Sequence, residues 1–149
     1  MRRLKILFVL LGFQLWATFT FAQVSEDWVQ RFTSDSIRNE SVNDMFVDAQ
    51  GNVYVTGESY GVGTHFDYAT IKYNSSGDEL WARRTNSGGE YSEDRPYDMA
   101  VDNFGNVIVT GRGVGTVKFN SSGDQQWVKG IHPGYINSIA VDALGDIYI

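Results

Sequence analysis

The chain contains no cysteine. No disulfide can therefore staple the fold, which must rest on its core or on metal. Basic residues are scarce, 12 against 18 acidic ones in 149. Phosphate recognition needs lysine and arginine in clusters, so the composition argues against nucleic acid and anionic membrane surfaces as partners. An acidic balance favours solubility and, weakly, the binding of cations. Histidine is confined to His65 and His132. Both are solitary, and no arrangement of His with Ser or Cys suggests nucleophilic catalysis. Past residue 22 no stretch shows a helical apolar period, which argues against an α class.

The first 22 residues stand apart in composition. Met1, Arg2, Arg3 and Lys5 make a positive start, residues 6–13 are almost purely apolar, and Thr20, Phe21 and Ala22 place small residues at the expected cleavage positions. The run is short for a membrane span, and Gln14 interrupts its later part. These features predict a signal peptide over 1–22, cleavage before Gln23, and a secreted or cell-surface product without membrane insertion. No cysteine follows the cut to carry a lipid anchor. Cleavage removes three basic residues and no acidic one, moving the net charge from −6 to about −9.

Self-similarity organises the rest. Residues 42–57, 97–111 and 136–149 align, with Asp48, Asp102 and Asp142 at spacings of 54 and 40. A second motif joins 71–81 to 117–127, each an apolar and basic strand followed by Asn-Ser-Ser-Gly-Asp and a tryptophan. Such periods suit one propeller blade, about 40–50 residues. Each unit reads as four short strands punctuated by Gly, Asn and Asp, which in the first unit cover 42–47, 53–56, 69–73 and 80–83. The predicted fold class is all-β: tandem four-stranded antiparallel blades of a β-propeller. A strand over 27–33 would complete a blade, with unit one at 42–84, unit two at 97–129 and a partial unit three at 136–149. About two and a half blades are present, whereas closed rings need about four to eight. The expectation is a partial, C-terminally truncated propeller, with further blades of the same full-length chain as its partners.

Trp28, Trp81 and Trp127 recur at one point of the repeat. Packing between neighbouring units explains a repeat-locked tryptophan better than a carbohydrate platform does. Asp48 with Gly51, Asp102 with Gly105, and Asp142 with Gly145 mark tight turns. In these the glycine supplies a positive φ and the carboxylate bonds backbone N–H groups. Calcium is the competing reading. Each loop lacks the succession of oxygen ligands and the closing Glu of an EF-hand, so no metal and no other cofactor is expected.

These motifs, together with residues 67–77 and the tryptophan that follows them, resemble the bacterial β-propeller repeat family labelled SBBP. The resemblance covers 28–149. It implies an extracellular or cell-surface protein with a binding or adhesion role and no assigned enzymatic activity.

Function is expected at one end of the strands. In an antiparallel meander the connections alternate between two ends. All the length variation between units falls in the second-to-third and fourth-to-first connections, which share an end. Variable loops on a rigid scaffold are where binding resides. In unit one these loops carry Glu58, Tyr60, His65, Phe66, Asp67, Glu90, Tyr91, Glu93 and Asp94. They read either as a surface for an extracellular protein or glycan, or as ordinary solvated loops whose glycines permit bends. The same carboxylates could pair as acid and base in a propeller-bodied lyase or glycoside hydrolase. No second catalytic signal accompanies them, so a non-enzymatic binding scaffold is the preferred expectation.

Overall fold

The computed structural model describes residues 27–32, 40–61, 63–89, 92–130 and 135–149. The predicted signal peptide and cleavage site, Glu90, Tyr91 and His132 lie outside these residues. All described regular structure is β, with no helix. Strands β1 (Ser41–Val47), β2 (Val53–Tyr60), β3 (Phe66–Tyr73) and β4 (Glu79–Thr85) form one four-stranded sheet. A second contains β5 (Arg95–Val101), β6 (Val107–Arg112), β7 (Thr116–Phe119) and β8 (Gln125–Lys129). The hairpin of β9 (Ala140–Val141) and β10 (Ile147–Tyr148) follows. Every sheet runs in sequence order with antiparallel neighbours.

The repeat in the sequence is a repeat in register. Both complete sheets break their ladders at corresponding places, between Val42 and Asp44 and between Pro96 and Asp98 in the first strand. The third strand does the same between Lys72 and Tyr73 and between Lys118 and Phe119. A bulge re-aims the side chains beside it, and here it frees Asp44 and Asp98 to reach the next unit. Asp44 Oδ2 accepts the Met99 N–H at 3.0 Å, and Asp98 Oδ2 accepts the Ile139 N–H at 2.7 Å.

The turns close as their residues dictate. Asp48 Oδ1 accepts the N–H groups of Gln50 and Asn52 at 2.9 Å, and its Oδ2 takes the Asn52 amide and the Tyr54 hydroxyl. Asp102 and Asp142 repeat the two backbone bonds, and their Oδ2 atoms take the Asn106 amide and the Tyr148 hydroxyl respectively. Gly51, Gly105 and Gly145 have φ of 82°, 75° and 88°, a region closed to most side chains.

Hydrophobic packing lies between the sheets. Tyr54, Tyr68 and Trp81 on the back of the first sheet meet Met99, Val107, Val109, Val117 and Phe119 on the front of the second. Ala100 and Ile108, on the back of the second, meet Ile139 of the third unit, flanked by Trp127, Val141 and Ile147. A sheet covered on both faces explains why β6 reads as a continuous apolar run rather than an alternating one. The tryptophans are part of these joints. Trp81 stacks beside Phe119 at 6.1 Å and donates from Nε1 to Ser121 O at 3.1 Å. A Cβ on Gly123 would stand 2.7 Å from its ring.

Residues 27–32 form no strand, which departs from the strand expected there. They nevertheless occupy the place of β4 from an earlier unit. Trp28 lies 5.8 Å from Tyr73, a Cβ on Gly77 would come within 2.7 Å of its ring, and Gln30 Nε2 donates to Gly77 O. Arg83 makes the equivalent bond to Gly123 O. Packing of the side chains is retained although the backbone ladder is missing.

Candidate functional site

The loops between β2 and β3 and between β4 and β5 converge at one end of the first two sheets. Asp94 donates its N–H to Phe66 O at 2.8 Å, and Phe66 bridges to Glu93 in parallel register. This linkage sets the two variable loops side by side. The start of β5 and the end of β6 join them, because Arg95 pairs across the ladder with Arg112.

Two of the carboxylates expected to meet a ligand turn inward instead. Asp67 is 1% exposed and Asp94 is fully buried. Asp67 Oδ2 accepts from Thr64 Oγ1 at 2.9 Å and pairs with Arg84 at 3.4 Å. Arg84 also reaches the Ser59 hydroxyl and Tyr60 O, so it ties the end of β2 to β4. Asp94 Oδ2 gathers the Ser87 N–H, the Ser87 hydroxyl and the Ser92 hydroxyl. A carboxylate that collects the donors of its own loop fixes that loop's shape, and these two anchor the site from beneath. Burial pushes the Asp67 carboxyl above the usual carboxylate range, with Thr64 and Arg84 opposing and the Asp94 charge adding to the rise.

The remaining candidates form the surface. Tyr60, His65 and Phe66 pack on one another with ring centroids 5.2 to 5.6 Å apart. The Arg95 guanidinium lies over Phe66 at 4.5 Å. Phe66 is therefore a support for Arg95 rather than a free stacking platform. Arg95 donates from one nitrogen to both oxygens of Glu58, at 3.0 and 3.2 Å, and lies 3.8 Å from Glu93. Glu93 in turn accepts from Arg112 at 3.0 Å, and Arg112 sits over the ring of Tyr135 at 5.7 Å. Glu58, Arg95, Glu93 and Arg112 thus make a row of alternating charge from the first unit to the second.

No family model matches this chain, and no curated protein matches it.

The two arginines, Arg84 and Tyr135 escaped the residue-by-residue reading of the sequence. The parity rule contained the signal for Arg95 and Arg112, since both stand where a strand meets the variable end. Their partnership with Glu58 and Glu93 depends on how one sheet is set against the next, which no local pattern encodes. Arg112 side chain remains 43% exposed and Glu93 side chain 38%, so the far end of the row offers both donors and acceptors to solvent. Charge-assisted hydrogen bonds of this kind are stronger and more directional than neutral ones.

A second arrangement absent from the sequence reading lies on the first strands. Burial pushes the Asp44 carboxyl up, aided by a hydrogen bond with Asp98, while Asp98 is drawn down. Burial works against that fall, and the Ile139 N–H and Ser138 hydroxyl outweigh it.

Proposed function

We propose that this chain is an exported β-propeller-repeat scaffold of the SBBP type that binds an extracellular glycan through its variable-loop end. The row Glu58, Arg95, Glu93, Arg112 with the Tyr135 ring beside it carries the reading. Paired charges cancel over the row, which suits a neutral polyhydroxylated ligand needing donors and acceptors in alternation better than a strongly charged one. The exposed ring of Tyr135, 64% accessible, adds an apolar face against which a sugar can lie. Each sheet corresponds to one blade, and the stacking of front against back supports a propeller arrangement.

Binding is favoured over hydrolysis by the partners the carboxylates already have. A glycosidase needs two carboxyl groups free to meet the substrate across a cleft, and Glu58 and Glu93 are each engaged by an arginine at 3.0 Å. Asp67 has the raised pKa but is enclosed.

A glycan array probed with the full chain tests the proposal. Binding is expected, and Arg112→Ala is expected to weaken it by at least about tenfold, the scale of one hydrogen bond to a charged group. Tyr135→Ala should weaken the same spots. Equal signals from the parent chain and an Arg95→Ala, Arg112→Ala double variant would sink the site. Capture of peptides but no glycans would replace the ligand class.

A further inference from the structure

Each joint between successive units is closed from the first strand by a carboxylate, but the two joints differ in what that carboxylate meets. In the first joint one hydrogen serves two anions. The Met99 N–H lies 3.0 Å from Asp44 Oδ2 of the preceding unit and 2.9 Å from Oδ1 of its own chain neighbour Asp98. In the second joint the Ile139 N–H goes to Asp98 Oδ2 at 2.7 Å, and the residue before it is Ser138, whose hydroxyl donates to Asp98. A donor thus stands where the first joint has a second negative charge.

The bulges bring this about. Because the ladders skip Asn43 and Tyr97, Asp44 falls opposite Thr56 and Asp98 opposite Thr110. Both threonines are fully buried, and the carboxylates beside them are half-buried, where water screens a like-charge contact only in part. What the packed strands set against the pair is neutral: Thr56 comes from β2, Thr110 from β6, and Ser138 and Ile139 from the third unit. Among the described residues no lysine, arginine or histidine forms an ion pair with either carboxylate.

Two ionised carboxylates in contact lack a donor between them, and a proton on one supplies it. The donors around each decide which one. Asp98 accepts from Ile139 and Ser138 besides the shared N–H, whereas Asp44 adds only the Met45 N–H at 2.7 Å. Hydrogen bonds to a charged form favour it, so Asp98 is the better anion and Asp44 the better place for a proton. Burial, aided by the Asp98 contact, moves the Asp44 carboxyl above its ordinary value of 3.8.

We propose that the joint between the first and second units is a proton-operated clasp, in which Asp44 donates a proton to Asp98 and loses it as the pH rises, loosening the joint. A carboxyl that holds its proton more tightly in the fold than in the unfolded chain contributes stability that is complete below the unfolded value and is lost as pH rises through the native one. Asp48 and Asp102, whose carboxyls are held low, act in the opposite direction. The Glu58–Arg95 pair crosses the same joint, so the clasp reaches the loop end whatever ligand that end takes.

Melting of the full chain and of Asp44→Asn across pH tests this, since the amide carries a donor at every pH. The Asp67 carboxyl is also raised, so the difference between the two proteins is read rather than the parent curve. Asp44→Asn is expected to melt about 2–4 °C above the parent near pH 7, the scale of one such contact in a chain of this length. The gap should close toward about pH 4, where the parent regains its proton. Asp44→Asn melting below the parent near neutrality, or a gap that does not change with pH, would overturn the proposal. Carbon-13 NMR of the parent reads the same proton without relying on the variant to fold. The Asp44 carboxyl is expected to titrate above 3.8 and to move down in Asp98→Asn. Titration at or below 3.8, or no movement in Asp98→Asn, would also overturn it.

Discussion

Two glycines separate backbone freedom from close packing at the level of single residues. Gly88 and Gly123 both have φ of 82°, yet a Cβ on Gly88 meets nothing within 4 Å while one on Gly123 strikes the Trp81 ring. Gly88→Ala should cost about 1–2 kcal/mol, the price of a left-handed conformation. Gly123→Ala should cost at least about 1 kcal/mol more, because the tryptophan must shift in a packed joint. Urea denaturation of both variants measures the difference, and equal losses would remove the proposed role of the contact. The recurrence of Trp81 and Trp127 was legible in the sequence because each follows the same Asn-Ser-Ser-Gly-Asp turn. That the rings of Trp28 and Trp81 close on Gly77 and Gly123 of the following unit was not, since these partners are 49 and 42 positions apart in the chain.

The Asp turns give the elements a measurable acid sensitivity. Burial alone would raise the Asp102 carboxyl, but bonds from the Asn106 side chain and backbone, from Phe104, and the Lys118 charge bring it below its ordinary value of 3.8. Asp48 is lowered in the same way by Asn52, Tyr54 and Gln50. A depressed native pKa means that the fold binds the ionised form better than the unfolded chain does. The stability so contributed is complete above about 3.8 and is lost as pH falls through the native value. Melting temperature should therefore fall between about pH 4 and pH 2, and Asp102→Asn should flatten that fall. An unchanged acid limb in the variant would show that the turn carboxylate does not set it. These turns were readable from Asp and Gly alone, because apart from the Lys118 contact of Asp102 the bonds that close them are local. The loops at the opposite end were readable only as variable, since Asp67 and Asp94 look like any surface carboxylate until the fold encloses them.

Protection at the scale of the whole chain follows from where one sheet covers another. The second sheet is covered on both faces, and β2 and β3 lie between β1 and β4, so amides of β2, β3, β6 and β7 should exchange slowest in deuterium oxide. Strand β1, with nearly every residue exposed, and the β9–β10 hairpin should exchange fastest. If β1 proved as protected as β6, another element would have to cover its front.

What the residues determined unaided is the local geometry: short antiparallel strands, turns closed by Asp, Asn and Gly, and a unit that recurs at 54 and then 40 positions. Such features depend on neighbours in the chain and on nothing farther away. Tertiary structure decided which charges meet. Glu58 finds Arg95 across 37 positions, and Asp44 finds the Met99 N–H across 55. Those pairings exist because one sheet is laid against the next, and a long-range contact has no period or motif by which a sequence can announce it.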